Sequence, residues 1–83
     1  MTTIIWDPAP QAVLEILDSV TRQRILKKLD KDVRGNVLYY VEHLEGRKEG
    51  KLRIGDYRLF VDYLQDCDEL RIRAMWHRKN AYK

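Results

Sequence analysis

The start of the chain contains two apolar patterns, one typical of a strand and one typical of a helix. Residues 3–6 are β-branched or aromatic, and Asp7 and Pro8 follow them directly. This run predicts a first strand. Pro10 fits the first turn of a helix, where its missing N–H costs nothing, and apolar residues then recur at helical spacing. A short amphipathic helix is therefore expected over residues 9–18.

A second amphipathic pattern predicts a longer helix over residues 20–33. Asp18 and Ser19 are suitable residues to cap its start, and Gly35 is suitable to end it. Its apolar stripe consists of Ile25, Leu26, Leu29 and Val33. The apolar residues of 37–46 suit a strand as well as one helical turn, so we expect an irregular connection there.

Alternation of apolar and polar residues in the second half of the chain predicts three strands, over residues 51–54, 57–64 and 70–76. The order β-α-α-β-β-β predicts an α+β fold, in which two N-terminal helices pack on one face of a mostly antiparallel four-stranded sheet. A chain of 83 residues can bury roughly 60% of its unfolded surface, which suffices for one modest core. We therefore expect residues 1–83 to form a single domain.

Each predicted strand has an apolar and a polar face, because successive side chains point to opposite sides of a sheet. The apolar sets are expected to face the helices, since only that side offers burial. They are Leu52 and Ile54; Tyr57, Leu59, Val61 and Tyr63; and Leu70, Ile72, Ala74 and Trp76. The opposite set contains Phe60, Asp62, Met75 and five cations, namely Lys51, Arg53, Arg58, Arg71 and Arg73.

Five cations on one helix-free face repel one another unless an anion lies between them, and Asp62 can neutralise only one or two. Arginine suits a phosphate group, because its planar guanidinium binds two oxygens at once and keeps its charge. The residues leave two interpretations open: a phosphate-binding surface, or a solvated face with local ion pairs to Asp56 and Asp62. The shared parity on three strands favours the phosphate-binding surface.

Composition and charge narrow the class of protein and its partners. The chain is 45% hydrophobic and 35% charged, too apolar for a disordered protein and too charged for a membrane protein. Residues 1–46 carry a net charge of −1 and residues 47–83 one of +4, which indicates an anionic partner for the second half. The single cysteine, Cys67, and the uncharged first residues favour a cytoplasmic protein with no signal peptide and no membrane partner.

Three blocks of sequence occur in an order that is typical of one protein family. The first is Arg-Ile-Leu-Lys-Lys-Leu at residues 24–29. The second is Leu-Glu-Gly at 44–46 followed by Lys-Leu-Arg-Ile-Gly-Asp-Tyr-Arg-Leu at 51–59, and the third is His-Arg-Lys at 77–79 with Tyr82. With these blocks and its element order, nearly the whole chain resembles the RelE/ParE toxin superfamily of bacterial and archaeal toxin–antitoxin systems.

The resemblance to the RelE branch implies a fold and a function. Members of that branch are type II toxins: small mRNA endoribonucleases that enter the ribosomal A site, cut mRNA there and inhibit translation. The resemblance therefore implies a RelE-like fold, the ribosome and mRNA as partners, and a cognate RelB-like antitoxin. The chemistry needs a base for the ribose 2′-oxygen, cations for the phosphate and a proton for the departing 5′-oxygen, and it needs no metal or cofactor.

Four residues match catalytic positions of the family. Lys51 matches a catalytic lysine, and Arg58 matches the arginine that steadies the phosphate. Arg78 matches a tail arginine held close to the scissile phosphate, and Tyr82 matches a tail tyrosine that stacks on a base or orients the 2′-hydroxyl. The predicted RNA-binding residues are Arg53, Arg71, Arg73, His77 and Lys79.

One departure from the family pattern leaves the chemistry open. Some relatives have another lysine two positions before Lys51, where this chain has Glu49. That carboxylate is either a base or a sign of weakened catalysis, so the candidates for the general base are Lys51, Glu49, His77 and Tyr82. Two other functions stay open as well: a ParE-like toxin that inhibits DNA gyrase without nuclease activity, and a degenerate member that does not cleave.

Overall fold

Five strands form one mixed sheet in the computed structural model, which describes residues 2–43 and 49–77. The strands are β1 (Thr3–Trp6), β2 (Glu42–His43), β3 (Glu49–Ile54), β4 (Tyr57–Leu64) and β5 (Glu69–His77). Their order across the sheet is β1-β5-β4-β3-β2, with β1 parallel to β5 and the other neighbours antiparallel. The α+β class and the four predicted strands are confirmed. The fifth strand, β2, lies in the segment that was predicted to be irregular.

The described helices are α1 (Pro8–Glu15), α2 (Ser19–Lys28) and α3 (Val37–Tyr40), with a π-helical turn (Leu29–Val33) directly after α2. Pro10 lies in the first turn of α1, as predicted. Asp18 caps α2, because its carboxylate accepts hydrogen bonds from the backbone N–H of Thr21 at 3.1 Å and from its hydroxyl at 2.6 Å. None of these described helices has both the length and the apolar character needed to cross a membrane.

An apolar core lies between the helices and one face of the sheet. Residues between α1 and the start of β2 contribute Leu14, Ile25, Leu29, Val33, Val37 and Val41 to it. The sheet contributes Leu52, Ile54, Leu59, Val61, Leu70, Ile72 and Met75. Burial of each large side chain stabilises the fold by about 1.5–3 kcal/mol. Among the described residues no element covers the other face of β3, β4 and β5, which we call the open face.

A β-bulge in β5 interrupts the alternation of side chains along that strand. Val61 pairs with Ile72, whereas its neighbour Phe60 pairs with Ala74, so Arg73 is the extra residue. The bulge adds a residue to one strand only. Every side chain of β5 beyond it therefore points to the face opposite the one that alternation predicts.

The bulge corrects the predicted faces of three residues. Met75 is only 4% exposed and joins the core opposite Leu59, although alternation predicts it on the open face. Ala74 and Trp76, which alternation predicts in the core, share the open face, where Trp76 lies opposite Arg58. The predictions were wrong because parity holds only along an unbroken strand.

Candidate nucleic-acid interface

Two rows of side chains cross the open face where β3, β4 and β5 lie side by side. One row is Lys51, Phe60 and Ala74, and the next row is Arg53, Arg58 and Trp76. Residues directly opposite one another on neighbouring strands have Cβ atoms about 4.5–5.5 Å apart. The two rows therefore bring three cations and two aromatic rings together on a small area of the open face.

All members of the two rows except Ala74 line a cleft of about 490 Å³, with further lining from Tyr40, Glu42, Leu52 and Leu59. A neighbouring cleft of about 530 Å³ shares Lys51 and Phe60 with it, and is also lined by Glu49, Gly50, Val61, Asp62 and Arg73. Both volumes lie in the range of roughly 300–1,000 Å³ that is typical of small-ligand sites. Lys51 and Phe60 thus lie between two recesses of suitable size for parts of a nucleotide.

The electrostatics of the two rows favour a bound anion. Within residues 2–43 and 49–77, neither Lys51 nor Arg53 forms an ion pair, and both side chains are exposed. Arg53 also lies directly opposite Arg58 across β3 and β4. Like charges placed opposite each other destabilise a sheet, and an anion between them would offset the repulsion.

Arg71 and Arg73 differ from these cations, because carboxylates already hold them. Arg73 Nη1 lies 2.6 Å from Asp62 Oδ2, and its Nε lies 2.8 Å from Asp7 Oδ2. Arg71 Nη1 lies 3.0 Å from Asp7 Oδ1, and its Nη2 lies 3.7 Å from Glu69 Oε2. The hydrogen bond that Arg73 donates to Asp62 raises the pKa of Arg73 further above its ordinary high value. Both guanidinium groups therefore hold the sheet together locally.

Four of the five cations expected on this face thus fall into two groups: Lys51 and Arg53 form no ion pair within the described residues, whereas Arg71 and Arg73 do. The RNA-binding roles of Arg71 and Arg73 stay predictions, and their ion pairs favour a structural role. Asp7 is the residue that the sequence did not reveal as part of this face. Its contacts depend on β1 lying beside β5 in parallel, a long-range pairing that no local pattern indicates.

Glu49 lies on the open face in line with Lys51 and opposite Asp62 on β4. Glu49 and Lys51 line the same cleft, so this carboxylate is close to the lysine that was predicted to be catalytic. Across residues 2–43 and 49–77, no three His, Cys, Asp or Glu side chains gather in a way that could hold a metal ion. The chemistry of the site is therefore argued from its cations and carboxylates.

The predicted tail residues are only partly described. His77 lies in the same cross-strand row as Tyr57 and Ile54, with its ring centroid 5.1 Å from that of Tyr57 and the ring planes perpendicular. Ile54 belongs to the core, so this row is on the side opposite Lys51 and Arg58. Arg78, Lys79 and Tyr82 lie outside the described residues, and their roles, like that of His77, stay predictions.

Phe60 and Trp76 form an aromatic pair on the open face that the sequence only half reveals. Their ring centroids are 4.6 Å apart and the ring planes meet at 76°. Alternation predicts Phe60 among the cations, but it predicts Trp76 in the core. Within the part of the chain that the structure describes, the buried indole N–H of Trp76 has no hydrogen-bond partner.

Solved structures of RelE toxins share this arrangement of helices and sheet. One chain of the toxin–antitoxin complex RelBE2 from Mycobacterium tuberculosis superposes with a TM-score of 0.79 at 18% identity, over 93% of this chain and 98% of that chain. The protein has a RelE-like fold. The isolated E. coli RelE toxin superposes with a TM-score of 0.76 at 13% identity, over 99% of this chain and 89% of that chain.

An archaeal relative of this RelE-like fold is also similar. One chain of the RelE–RelB complex from Pyrococcus horikoshii superposes with a TM-score of 0.74 at 20% identity, over 96% of this chain and 98% of that chain. No family model matches the sequence, and no curated protein matches it either. The likeness therefore establishes the fold, and the activity has to be argued from the residues of the open face.

Proposed function

We propose that this RelE-like protein is the toxin of a type II toxin–antitoxin system and that it cleaves mRNA in the ribosomal A site. The observation that carries the proposal is the convergence of Lys51, Arg53 and Arg58 on one open cleft. These residues come from two strands. By the resemblance, Lys51 matches a catalytic lysine of RelE-like enzymes, Arg58 matches the arginine that steadies the phosphate, and Arg53 also has a counterpart in the family. The RelE-like fold supports the proposal, because solved RelE toxins share this arrangement of elements.

The cleft supplies charges that cleavage of an RNA phosphodiester requires. Attack of the ribose 2′-oxygen on the neighbouring phosphorus forms a cyclic phosphate and breaks the bond to the 5′-oxygen, which leaves with a proton. Negative charge builds on the phosphate oxygens in the transition state. The guanidinium groups of Arg53 and Arg58 would bind these oxygens, and the ammonium group of Lys51 would stabilise the same charge.

The proton acceptor for the 2′-hydroxyl is proposed to be the Glu49 carboxylate or Lys51 in its neutral form, in which case Lys51 stabilises the phosphate charge only after it has taken the proton. Both line the same cleft, so either can reach a ribose bound over it. His77 is the weaker candidate among the described residues, because it packs on Tyr57 at the core-facing side of the sheet. In this proposal Arg78 and Tyr82 complete the site from the tail.

We also propose that a RelB-like antitoxin is the cognate partner. Two of the similar structures are complexes of a toxin with its antitoxin. Apolar side chains on the helical side offer a surface for such a partner, since Ile16 is 83% exposed and Val20 is 65% exposed. An antitoxin that also covers the open face would block access of mRNA to the cleft.

Induced expression in a bacterial host tests the proposed activity. The wild type should arrest translation within minutes, and mapping of the mRNA 5′ ends should give cuts inside codons. Arg58→Ala should abolish both effects at an equal protein level. The matched control is Arg24→Ala, which removes an exposed cation from α2 and should stay toxic.

One observation favours a second candidate, a RelE-like protein that blocks the A site without cutting. Glu49 adds a negative charge to the cleft where some relatives have a lysine, and Asp62 lies directly opposite it. Translation arrest with intact mRNA would support this candidate and contradict the nuclease. DNA damage signalling with intact mRNA would instead support gyrase inhibition.

A further inference from the structure

The aromatic pair of Phe60 and Trp76 has no part in the proposed cleavage chemistry, yet its position is unfavourable for stability. Phe60 exposes 42% of its surface among cations. The indole N–H of Trp76 is buried with no partner in residues 2–43 and 49–77, and an unpaired buried donor costs free energy. Such departures from good packing are typical of functional sites.

The β-bulge at Arg73 is the feature that produces this position. If residues 70–76 alternated without a bulge, Met75 would occupy the open face and Trp76 would enter the core. Bulges beside functional sites commonly redirect a side chain in this way. The ion pairs of Arg73 with Asp62 and Asp7 hold the bulged residue on the open face. The fold therefore directs the indole toward the cleft.

We propose that Phe60, supported by Trp76, is a stacking platform for one unpaired nucleobase of the RNA. Phe60 lies opposite Lys51, and Trp76 lies opposite Arg58, so ring and cation are neighbours in each row. A nucleotide has the matching arrangement, with a flat base and a charged phosphate joined by one sugar. Base–aromatic stacking is tolerant of sequence, because every base has a π face.

The inference rests on the proposed function and names the form in which the substrate binds. A base in a duplex is stacked on its neighbours and cannot reach the ring of Phe60. The platform therefore selects a single strand with one base turned out of its stack. The positive charge of Lys51, Arg53 and Arg58 favours nucleic acid over an apolar peptide as the occupant of the cleft.

Binding to a short RNA with all 2′-hydroxyl groups methylated tests the platform without cleavage. Fluorescence anisotropy at low salt would give the dissociation constant for the intact strand and for strands with an abasic site at each position in turn. Loss of the stacked base should weaken binding by the wild type about tenfold or more at one position. Abasic sites elsewhere should have smaller effects.

Phe60→Ala should weaken binding of the intact strand by a similar factor and should remove the difference between the intact and abasic strands at that position. Phe60→Tyr keeps the ring and should keep that difference. Arg58→Ala should weaken both strands equally, since it removes a phosphate contact. Ile16→Ala removes a similar exposed apolar side chain from the end of α1 and should leave both constants unchanged. Circular dichroism melting checks that each variant folds.

A second readout uses Trp76 itself. The chain has two tryptophans, so Trp6→Phe leaves Trp76 as the fluorophore, and binding of the intact strand should quench its emission more than binding of the abasic strand. The proposal is overturned if no abasic position matters, if Phe60→Ala preserves the difference, or if no binding is measurable at millimolar RNA. If mapped mRNA cuts accompany any of these results, the proposed nuclease activity would be supported and only the stacking platform would be rejected.

Discussion

At the scale of single residues, the open face contains cations in two different states. Lys51 and Arg53 form no ion pair within the described ranges, whereas Arg73 is held by Asp62 and Asp7 at 2.6 and 2.8 Å. A cation without a partner can exchange its water and counterions for a phosphate. A cation within a good ion pair contributes little to the affinity for an anion, because its charge is already compensated.

The salt dependence of RNA binding should separate these two states. Arg53→Ala should reduce the slope of log K against log salt concentration by about 0.7, because one phosphate contact is lost on a single strand. Arg73→Ala should leave that slope nearly unchanged. Because the Arg73 side chain is about half exposed, its removal should lower the free energy of unfolding only slightly. Equal changes in slope for the two variants would contradict this division.

The pH dependence of stability should reveal a second group of residues, which lies just before β1, on β4 and in the turn before β5. The Tyr63 hydroxyl donates to Asp68 Oδ1 at 2.7 Å, and the Thr2 hydroxyl lies 2.8 Å from the same oxygen. These hydrogen bonds lower the pKa of Asp68 below its ordinary value. A carboxyl group with a lowered folded-state pKa stabilises the fold above its unfolded pKa, and this contribution disappears as the pH falls through the folded value.

We therefore expect the wild-type melting temperature to fall below about pH 4 more steeply than that of Asp68→Asn. Asparagine tolerates the left-handed backbone at this position, where φ is 52°, so the substitution tests the charge and not the turn. Asp66→Asn changes an exposed carboxylate of the same turn and should follow the wild-type profile. Superimposable profiles for Asp68→Asn and wild type would exclude this role of Asp68.

At the scale of helices and strands, most of the elements follow from local pattern. The strand at residues 3–6, the start of α2 at Asp18 and the three long C-terminal strands all lie where periodicity and capping predict them. The π-helical turn after α2 and the strand β2 do not. Both depend on tertiary packing, since Val37 and Val41 enter the core from a segment whose apolar residues suit either period.

Within the site, the bulge at Arg73 is the feature that alternation of polar and apolar residues could not predict. Polar and apolar residues continue to alternate through it, so nothing local indicates that Met75 and Trp76 exchange faces. Asp62 on β4 and Asp7, which directly follows β1, stabilise this extra residue through ion pairs. The cation half of the site is therefore visible in the sequence, whereas the aromatic half requires the structure.

Pairing of β2 with β3 should depend on the lack of a side chain at Gly50. A Cβ there would lie 2.5 Å from Val41 Cγ1 and 3.1 Å from the Glu42 carbonyl oxygen. We expect Gly50→Ala to lower the free energy of unfolding by about 1–3 kcal/mol. In a Val41→Ala background the same change should cost less, because the colliding methyl group is gone.

Urea denaturation of both single variants and the double variant measures this coupling. Gly35→Ala is the matched control, since a Cβ there would have no atom closer than 3.9 Å. Strict additivity of Gly50→Ala and Val41→Ala would mean that the close approach of the two strands is not what requires glycine.

At the scale of the whole molecule, the helical layer and the sheet differ in the half of the chain that supplies them and in the surface that they leave exposed. The first half of the chain is nearly neutral and supplies the helices, whereas the basic second half supplies β3, β4 and β5. The helices bury one sheet face and leave the other face open, and Lys51, Arg53 and Arg58 lie together on that open face, which nothing within residues 2–43 and 49–77 covers. The placement of these three cations, and not the small net charge of +3, supports the proposed RNA ligand.

The most direct test of the account is single-turnover cleavage of mRNA on programmed ribosomes by the purified protein. We expect cuts within the A-site codon for the wild type and a rate reduced by about 100-fold or more for Lys51→Ala and for Arg58→Ala, with melting temperatures near that of the wild type. Arg24→Ala should cleave at the wild-type rate. An absence of cleavage by the wild type, or wild-type rates for Lys51→Ala and Arg58→Ala, would contradict the claim that the open-face cations act on RNA.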